Sequence, residues 1–328
     1  MTRPASSRAT RQSLVRLGGL LLALVVGTVA SPPAFACSVC RCGDPAFEAL
    51  GLSLYEAGAF RLAMDWDRLA KEQGGPGERD SLVENRLTST LSLNLSETVA
   101  VVVRVPYSRR ELSEHSGGEV AREAGSEHGE SATGSGLGDP ELMALVRLWA
   151  SPFGPLGRRA WVGAGVGVKT PWGDNDLSQF GERLDEHAQP GTGSTDVFAG
   201  LSSVLVIDTE SSIFGSLQHR WTGSNPHDYR YGAATLVNLG FERRLGRSVD
   251  GVVEVNARSA ARDRVDATGQ LEPDTGGKVA FLAPRVVVSL GRGLVARAGV
   301  QIPILDNLNG EQDEKAVYGV GLTYLFSR

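Results

Sequence analysis

Between residues 59 and 326 the chain divides into twelve stretches of about ten residues in which apolar and polar side chains alternate, at roughly 59–70, 82–95, 98–108, 139–150, 160–170, 195–207, 212–222, 230–243, 249–261, 278–290, 294–304 and 316–326. A period of two belongs to an extended strand, whose side chains point to opposite faces in turn, and not to a helix. The last stretch sets Ala316, Tyr318, Val320, Leu322, Tyr324 and Phe326 on one face and Val317, Gly319, Gly321, Thr323 and Leu325 on the other. One face is bulky and apolar, and the other is small. The second stretch opposes Leu87, Leu91, Leu93 and Leu95 to Glu84, Arg86, Thr88, Thr90, Ser92 and Asn94. Ten tilted residues are what a strand needs to cross a bilayer, and hydrocarbon tolerates no unpaired sheet edge. The first and last strands must therefore meet.

A soluble sandwich also alternates, with the opposite sense of inside and outside. The five tryptophans, Trp66, Trp149, Trp161, Trp172 and Trp221, fall near strand ends, as an interfacial aromatic belt requires. Connections alternate in length: those near Glu97, 151–159, 208–211, 244–248 and 291–293 are short, and 71–81, 109–138, 171–194, 223–229, 262–277 and 305–315 are mostly longer. Short periplasmic turns and long outer loops alternate in this order when both termini are periplasmic. Pro106, Pro171 and Pro303 are read as ladder ends, and Pro284 in mid-strand calls for a bulge or a different boundary. The expected fold is all-β, an antiparallel transmembrane β-barrel of about twelve strands.

Residues 1–36 carry Arg3, Arg8, Arg11 and Arg16 without an acid, an apolar run from Leu17 to Ala30 and Ala34-Phe35-Ala36, the plan of a cleaved signal peptide. The expected domains are the leader 1–36, a cysteine-containing periplasmic segment or plug 37–57, and the barrel 58–328. Without the leader's four arginines the 33 Lys and Arg become 29 against 38 Asp and Glu, a net charge of −9, which argues against a nucleic-acid partner.

Three motifs add a resemblance. Gly136-Leu137-Gly138-Asp139 opens a strand, Lys169-Thr170-Pro171-Trp172-Gly173 closes one, and Gln189-Pro190-Gly191-Thr192-Gly193-Ser194-Thr195-Asp196 precedes the next. With them the chain over 58–328 resembles the outer-membrane barrels grouped with the phenol meta-cleavage pathway proteins, distantly similar to fatty-acid and aromatic-hydrocarbon channels. The resemblance implies a Gram-negative outer-membrane channel for small solutes, hydrophobic or aromatic ones included. Its partners would be outer-membrane lipid, the solute, and the barrel assembly machinery, engaged through the C-terminal strand.

The expected lumen charges are Glu84, Arg86, Arg104, Lys169, Asp196, Glu254, Arg258, Arg285 and Arg297, which either set the field for a solute or, if all are paired across the lumen, close it. Gly163, Gly165 and Gly167 form an inward row that makes room for large side chains from the opposite wall or for a plug. His219 lies beside Trp221 at an interface, while His115, His128, His187 and His227 read as solvated loop residues. No nucleophile stands at telling distance from a base, so no enzyme activity and no cofactor is expected. The acidic 109–138 segment reads as a mobile surface loop.

Cys37, Cys40 and Cys42 admit three readings: lipidation of Cys37, a Cys37–Cys40 disulfide, or a soft metal ion such as Cu(I) held by thiolates. Haem attachment is excluded because Arg41, not His, follows Cys40. Two function classes follow: a channel, or a structural, partner-recruiting barrel with a closed lumen and a metal- or redox-active cysteine head.

Overall fold

The computed structural model describes residues 59–73, 80–113, 131–151 and 159–326. The leader, the cysteine segment with Cys37, Cys40 and Cys42, and residues 114–130 with His115 and His128 lie outside the described residues. Among the described residues no helix is long and apolar enough to cross a membrane. The barrel strands are β1 (Phe60–Gln73), β2 (Asp80–Asn94), β3 (Val99–Ser113), β4 in two segments (Ser131–Leu137 and Glu141–Ala150), β5 (Arg159–Lys169) and β6 (Asp196–Val206). They continue with β7 (Ser211–Trp221), β8 (Ala234–Arg244), β9 (Val249–Ala260), β10 (Gly277–Gly291), β11 (Leu294–Leu308) and β12 in two segments (Gln312–Glu314 and Val317–Phe326).

Each strand pairs antiparallel with the next, and β1 pairs with β12 from Phe60↔Phe326 to Arg68↔Tyr318. That pairing closes the ring, so the twelve-stranded sheet has no edge. The expected alternation is observed. Leu62, Met64, Leu91, Leu201, Leu217, Val253, Val255, Val320 and Leu322 are exposed on the outside, whereas Glu84, Lys169, Asp196, Arg220, Glu254 and Glu314 are buried inside. A polar interior beneath an apolar exterior reverses the order of a soluble protein and fits a hydrocarbon solvent. Aromatic side chains mark both rims. Phe60, Tyr324 and Phe326 stack at the short-turn end, with centroids 4.6 and 4.3 Å apart, and Tyr107, Trp221 and Tyr318 are exposed towards the long-loop end.

Several local expectations need correction. Two tryptophans are no belt residues: Trp161 lies on the inward face of β5 and packs with Val204, Phe214 and Val252, and Trp66, though outward, stands in the middle of β1 opposite Val320 of β12. Pro284 causes no register shift, because it pairs with Val253 on β9 and the β11 ladder skips it and resumes in register. Its missing donor therefore falls on the side where no pair is made. Pro106 and Pro303 lie within β3 and β11, not at their ends, and each marks an irregularity. Pro106 stands beside Gly138-Asp139-Pro140, where β4 carries one residue more than β3 between Arg104↔Glu141 and Tyr107↔Leu137. Pro303 adjoins the shift between Ala280 and Phe281. The acidic segment is shorter than expected, since β3 extends to Ser113 and β4 begins at Ser131.

Candidate functional site

The inward face is built on glycines. A Cβ on Gly167 would run into the ring of Phe198 from β6, and one on Gly165 would meet Leu145 at 2.7 Å. On β8, Gly240 is bedded in the same way beneath Phe214, and on β12 Gly321 lies beneath the Arg297–Asp65 pair. The glycine row thus makes room for large side chains, but from adjacent strands and not from the opposite wall. Two apolar clusters result: Ala100, Val102, Met143, Leu145 and Phe198, and nearer the short turns Trp161, Val204, Phe214 and Val252.

The inward charges are organised in pairs. Arg258 bonds Glu314, and Arg285 takes one oxygen of Glu254 while Asn238 donates to the other at 2.9 Å. Arg297 grips Asp65 with two nitrogens and donates a third hydrogen bond to Thr323 at 2.8 Å. Arg110 lies 3.6 Å from Glu84. Arg86 stands in register with Asp67 and Ser108 on the strands beside it. Buried guanidinium groups require such partners, because leaving one uncompensated costs several kcal/mol.

The three sequence motifs converge on a single bracket. Lys169 contacts Asp196 at 2.9 Å and Asp139 at 3.4 Å, and bonds the hydroxyl of Thr192. Asp139 accepts from the backbone and hydroxyl of Thr192, both at 2.7 Å, and from the backbone N–H of Gly173 at 2.9 Å. Gly173 and Gly191 pack so closely over Asp139 that a Cβ on either would meet it within about 3 Å. Arg220 extends the network to Glu141 at 2.6 Å, which also faces Arg104 at 3.4 Å, and Arg220 stacks 4.7 Å over the Phe198 ring. Five strands, β3 to β7, are thereby tied to both ends of the loop 170–195.

That loop folds over the mouth. Gln189, fully buried, holds Leu177 through both its amide atoms and also bonds the carbonyl of Leu184, while Arg110 donates to the carbonyls of His187 and Gln189. Tyr229 and Tyr231, just before β8, pack on Leu82 of β2 and Leu112 of β3. Since β8 lies half a turn of the ring from β2, this apolar contact spans the opening. The Tyr229 hydroxyl donates to Asp263 at 2.8 Å and Tyr231 to the carbonyl of Glu186 at 2.9 Å. His187 is not a solvated loop residue: its ring lies edge-on to both tyrosines, 6.0 and 6.3 Å between centroids. His227 is 3.8 Å from Asp176, and His219 packs on Trp221 and bonds Thr235 at 2.8 Å.

All nine candidate charges therefore point into the barrel, but Lys169 and Asp196 belong to the bracket. Asp139, Glu141, Arg220 and Gln189 were missed as site residues, although Asp139 and Gln189 stand in the motifs. Arg220 lies in an ordinary-looking stretch beside Trp221, and nothing in its local pattern singles it out.

No family model and no curated protein matches the chain. Among solved structures, an outer-membrane channel from Pseudomonas putida F1 is similar over 84% of this chain and 98% of its own, with a TM-score of 0.61 and 13% identity. The transport unit of the autotransporter AIDA-I from Escherichia coli covers 84% of this chain and 92% of its own at TM-score 0.48 and 11% identity. The CymD monoaromatic hydrocarbon channel covers 83% and 90% at TM-score 0.39 and 10% identity. The first of these upholds, at the level of fold, the resemblance drawn from the motifs.

Proposed function

We propose that the chain is a Gram-negative outer-membrane channel that passes small solutes passively, hydrophobic or aromatic ones included, with both termini in the periplasm. The observation that carries this reading is a closed barrel whose outside is apolar and whose inside is lined by ordered charge pairs beside apolar clusters. The pairs run along the wall, between neighbouring strands in Arg110–Glu84 and Arg285–Glu254 and between near neighbours in Arg297–Asp65 and Arg258–Glu314, and do not bridge opposite walls as a barrel closed by its own charges would require. The likeness to the Pseudomonas channel supports the reading. Insertion would proceed through the assembly machinery acting on β12, whose outward residues end at Phe326.

Fractionation of cells together with a liposome swelling assay on the purified chain tests it. Recovery in the outer membrane and swelling in small solutes are the expected results. A soluble periplasmic product, or folded protein that admits none of the solutes, would refute it. The loop crossing the mouth favours a second reading, a closed barrel that recruits partners, and swelling that is absent even when residues 174–188 are deleted would select it. For Cys37, Cys40 and Cys42 the mass of the mature protein decides: an acyl adduct, the loss of two hydrogens, or free thiols that take up Cu(I).

A further inference from the structure

Outward residues on a membrane strand stay apolar from rim to rim, because hydrocarbon gives a charge no partner. On β1 the outward column runs Phe60, Leu62, Met64 and Trp66 and then breaks at Arg68, which is exposed. On β3 it runs Val101, Val103, Val105 and Tyr107 and breaks at Arg109, whose side chain is 59% exposed. The strand between them, β2, presents Leu91 and Leu87 and then Asn85. These breaks fall in one line. Arg68 is in register with Asn85 and Asn85 with Arg109, while Tyr318 of β12 stands opposite Arg68. The line beneath it is Trp66, Leu87 and Tyr107, also in register. Two arginines are thereby set two strand spacings apart, about 10 Å, with an amide between them and an apolar ledge below.

Their donors are uncommitted. Among the described residues neither Arg68 nor Asn85 makes a side-chain hydrogen bond or an ion pair. Arg109 directs Nε and one Nη to a single oxygen of Glu111, at 2.9 and 2.8 Å, and its other Nη has no partner. An arginine at the edge of hydrocarbon needs a counter-charge, and its flexible stem lets the guanidinium rise to the level of the lipid headgroups. Elsewhere on the ring the same position is neutral: Val168, Val197, Trp221, Thr235 and Ser259, outward near the outer ends of β5 to β9, carry no charge. The cationic line is therefore a one-sided seat and not part of a girdle.

We propose that Arg68, Asn85 and Arg109 bind the phosphorylated headgroup of an outer-leaflet glycolipid, whose acyl chains lie down the apolar columns beneath. Guanidinium forks match the oxygens of a phosphate, and their spacing lets one headgroup with two phosphates engage both. A neutral headgroup would leave both arginines without counter-charge. A soluble phosphate ester would have no use for the ledge of Trp66, Leu87 and Tyr107. The inference rests on the outer-membrane reading with the long loops outside, and it does not depend on whether the lumen passes a solute.

Native mass spectrometry of the purified full chain in detergent micelles tests it with three probes: bisphosphorylated lipid A, the same lipid freed of both phosphates, and inorganic phosphate as a competitor. Bisphosphorylated lipid A is expected to be retained one to one, the dephosphorylated lipid far less, and millimolar inorganic phosphate should not displace the first. Arg68→Gln and Arg109→Gln should each weaken binding by about tenfold, the range of one charge-assisted hydrogen bond at an exposed site. Lys278→Gln, which removes an outward cation on β10, should leave binding unchanged. Heat-modifiable migration on gels shows that each variant is folded. Equal retention of the two lipids, or unchanged binding by the variant carrying both Arg68→Gln and Arg109→Gln, overturns the inference while leaving the barrel in place. Displacement by inorganic phosphate overturns the lipid as the source of the anion. A chain without heat-modifiable migration overturns the membrane reading itself.

Discussion

Replacing Asp139 by Ala should release the loop 170–195 without unfolding the barrel. The buried carboxylate is the acceptor for two backbone N–H groups, Gly173 at 2.9 Å and Thr192 at 2.7 Å, and it lies 3.4 Å from the Lys169 ammonium. Charge-assisted hydrogen bonds contribute about 1.5–3 kcal/mol each. Lys169 retains Asp196 at 2.9 Å, so its charge stays compensated and adds little to the loss. The loop is thus destabilised by about 3–6 kcal/mol, which raises its open population by roughly two to four powers of ten. The strand ladders do not depend on these bonds. Hydrogen exchange resolved at the Gly173 and Thr192 amides should accelerate by about a hundredfold or more, while amides in the middle of β9 keep their rates. Asp139→Asn retains one carbonyl oxygen and should fall between. Unchanged exchange at those two amides in the Ala variant would refute the bracket.

Three other outcomes follow from the geometry. Gly167→Val should push the Phe198 ring off its bed and destabilise the barrel by about 1–3 kcal/mol of overpacking, read as a lower temperature for the heat-modifiable gel shift. Val320→Arg, on the outward face of β12 near its middle, should destabilise the inserted state by about 2–4 kcal/mol, whereas the same change in a soluble sheet would be mild; chemical unfolding in lipid measures it. Asp266, in the loop between β9 and β10, is held down at about 2 by the Ser224 hydroxyl and then by Arg264 and Arg230. A depressed carboxylate stabilises above its unfolded value near 3.8 and loses that stabilisation as pH falls through about 2, so hydrogen exchange in this loop should be flat from pH 7 to 4 after correction for the intrinsic rate.

The strands were legible because a bilayer imposes a uniform rule on every one of them. Alternation in β2, β9 and β12 fixes which face is outside, and loop-length parity orders the hairpins. What alternation does not carry is the partner of an inward residue. Trp161 reads as a rim aromatic because rim and lumen positions near a strand end look alike in sequence, and only the packing with Phe214 and Val252 tells them apart. Pro106 and Pro303 read as strand ends for a similar reason: a missing donor is equally at home at a bulge, and the partner strand decides. The bracket was half legible. Its glycines and Asp139, Lys169 and Asp196 stand in recognisable motifs, but these come from three separate stretches of chain and meet only in the barrel. His187 was misjudged because its neighbours Tyr229 and Tyr231 are some forty residues away.

The measurement that bears most directly on the account is single-channel conductance of the purified full chain in a planar bilayer, recorded beside the Asp139→Ala variant. Discrete current steps are predicted for both, with the variant open for a larger fraction of the time because its mouth loop is untied. A silent membrane for both proteins, with heat-modifiable migration proving that each is folded and inserted, would contradict the claim that this barrel is a channel.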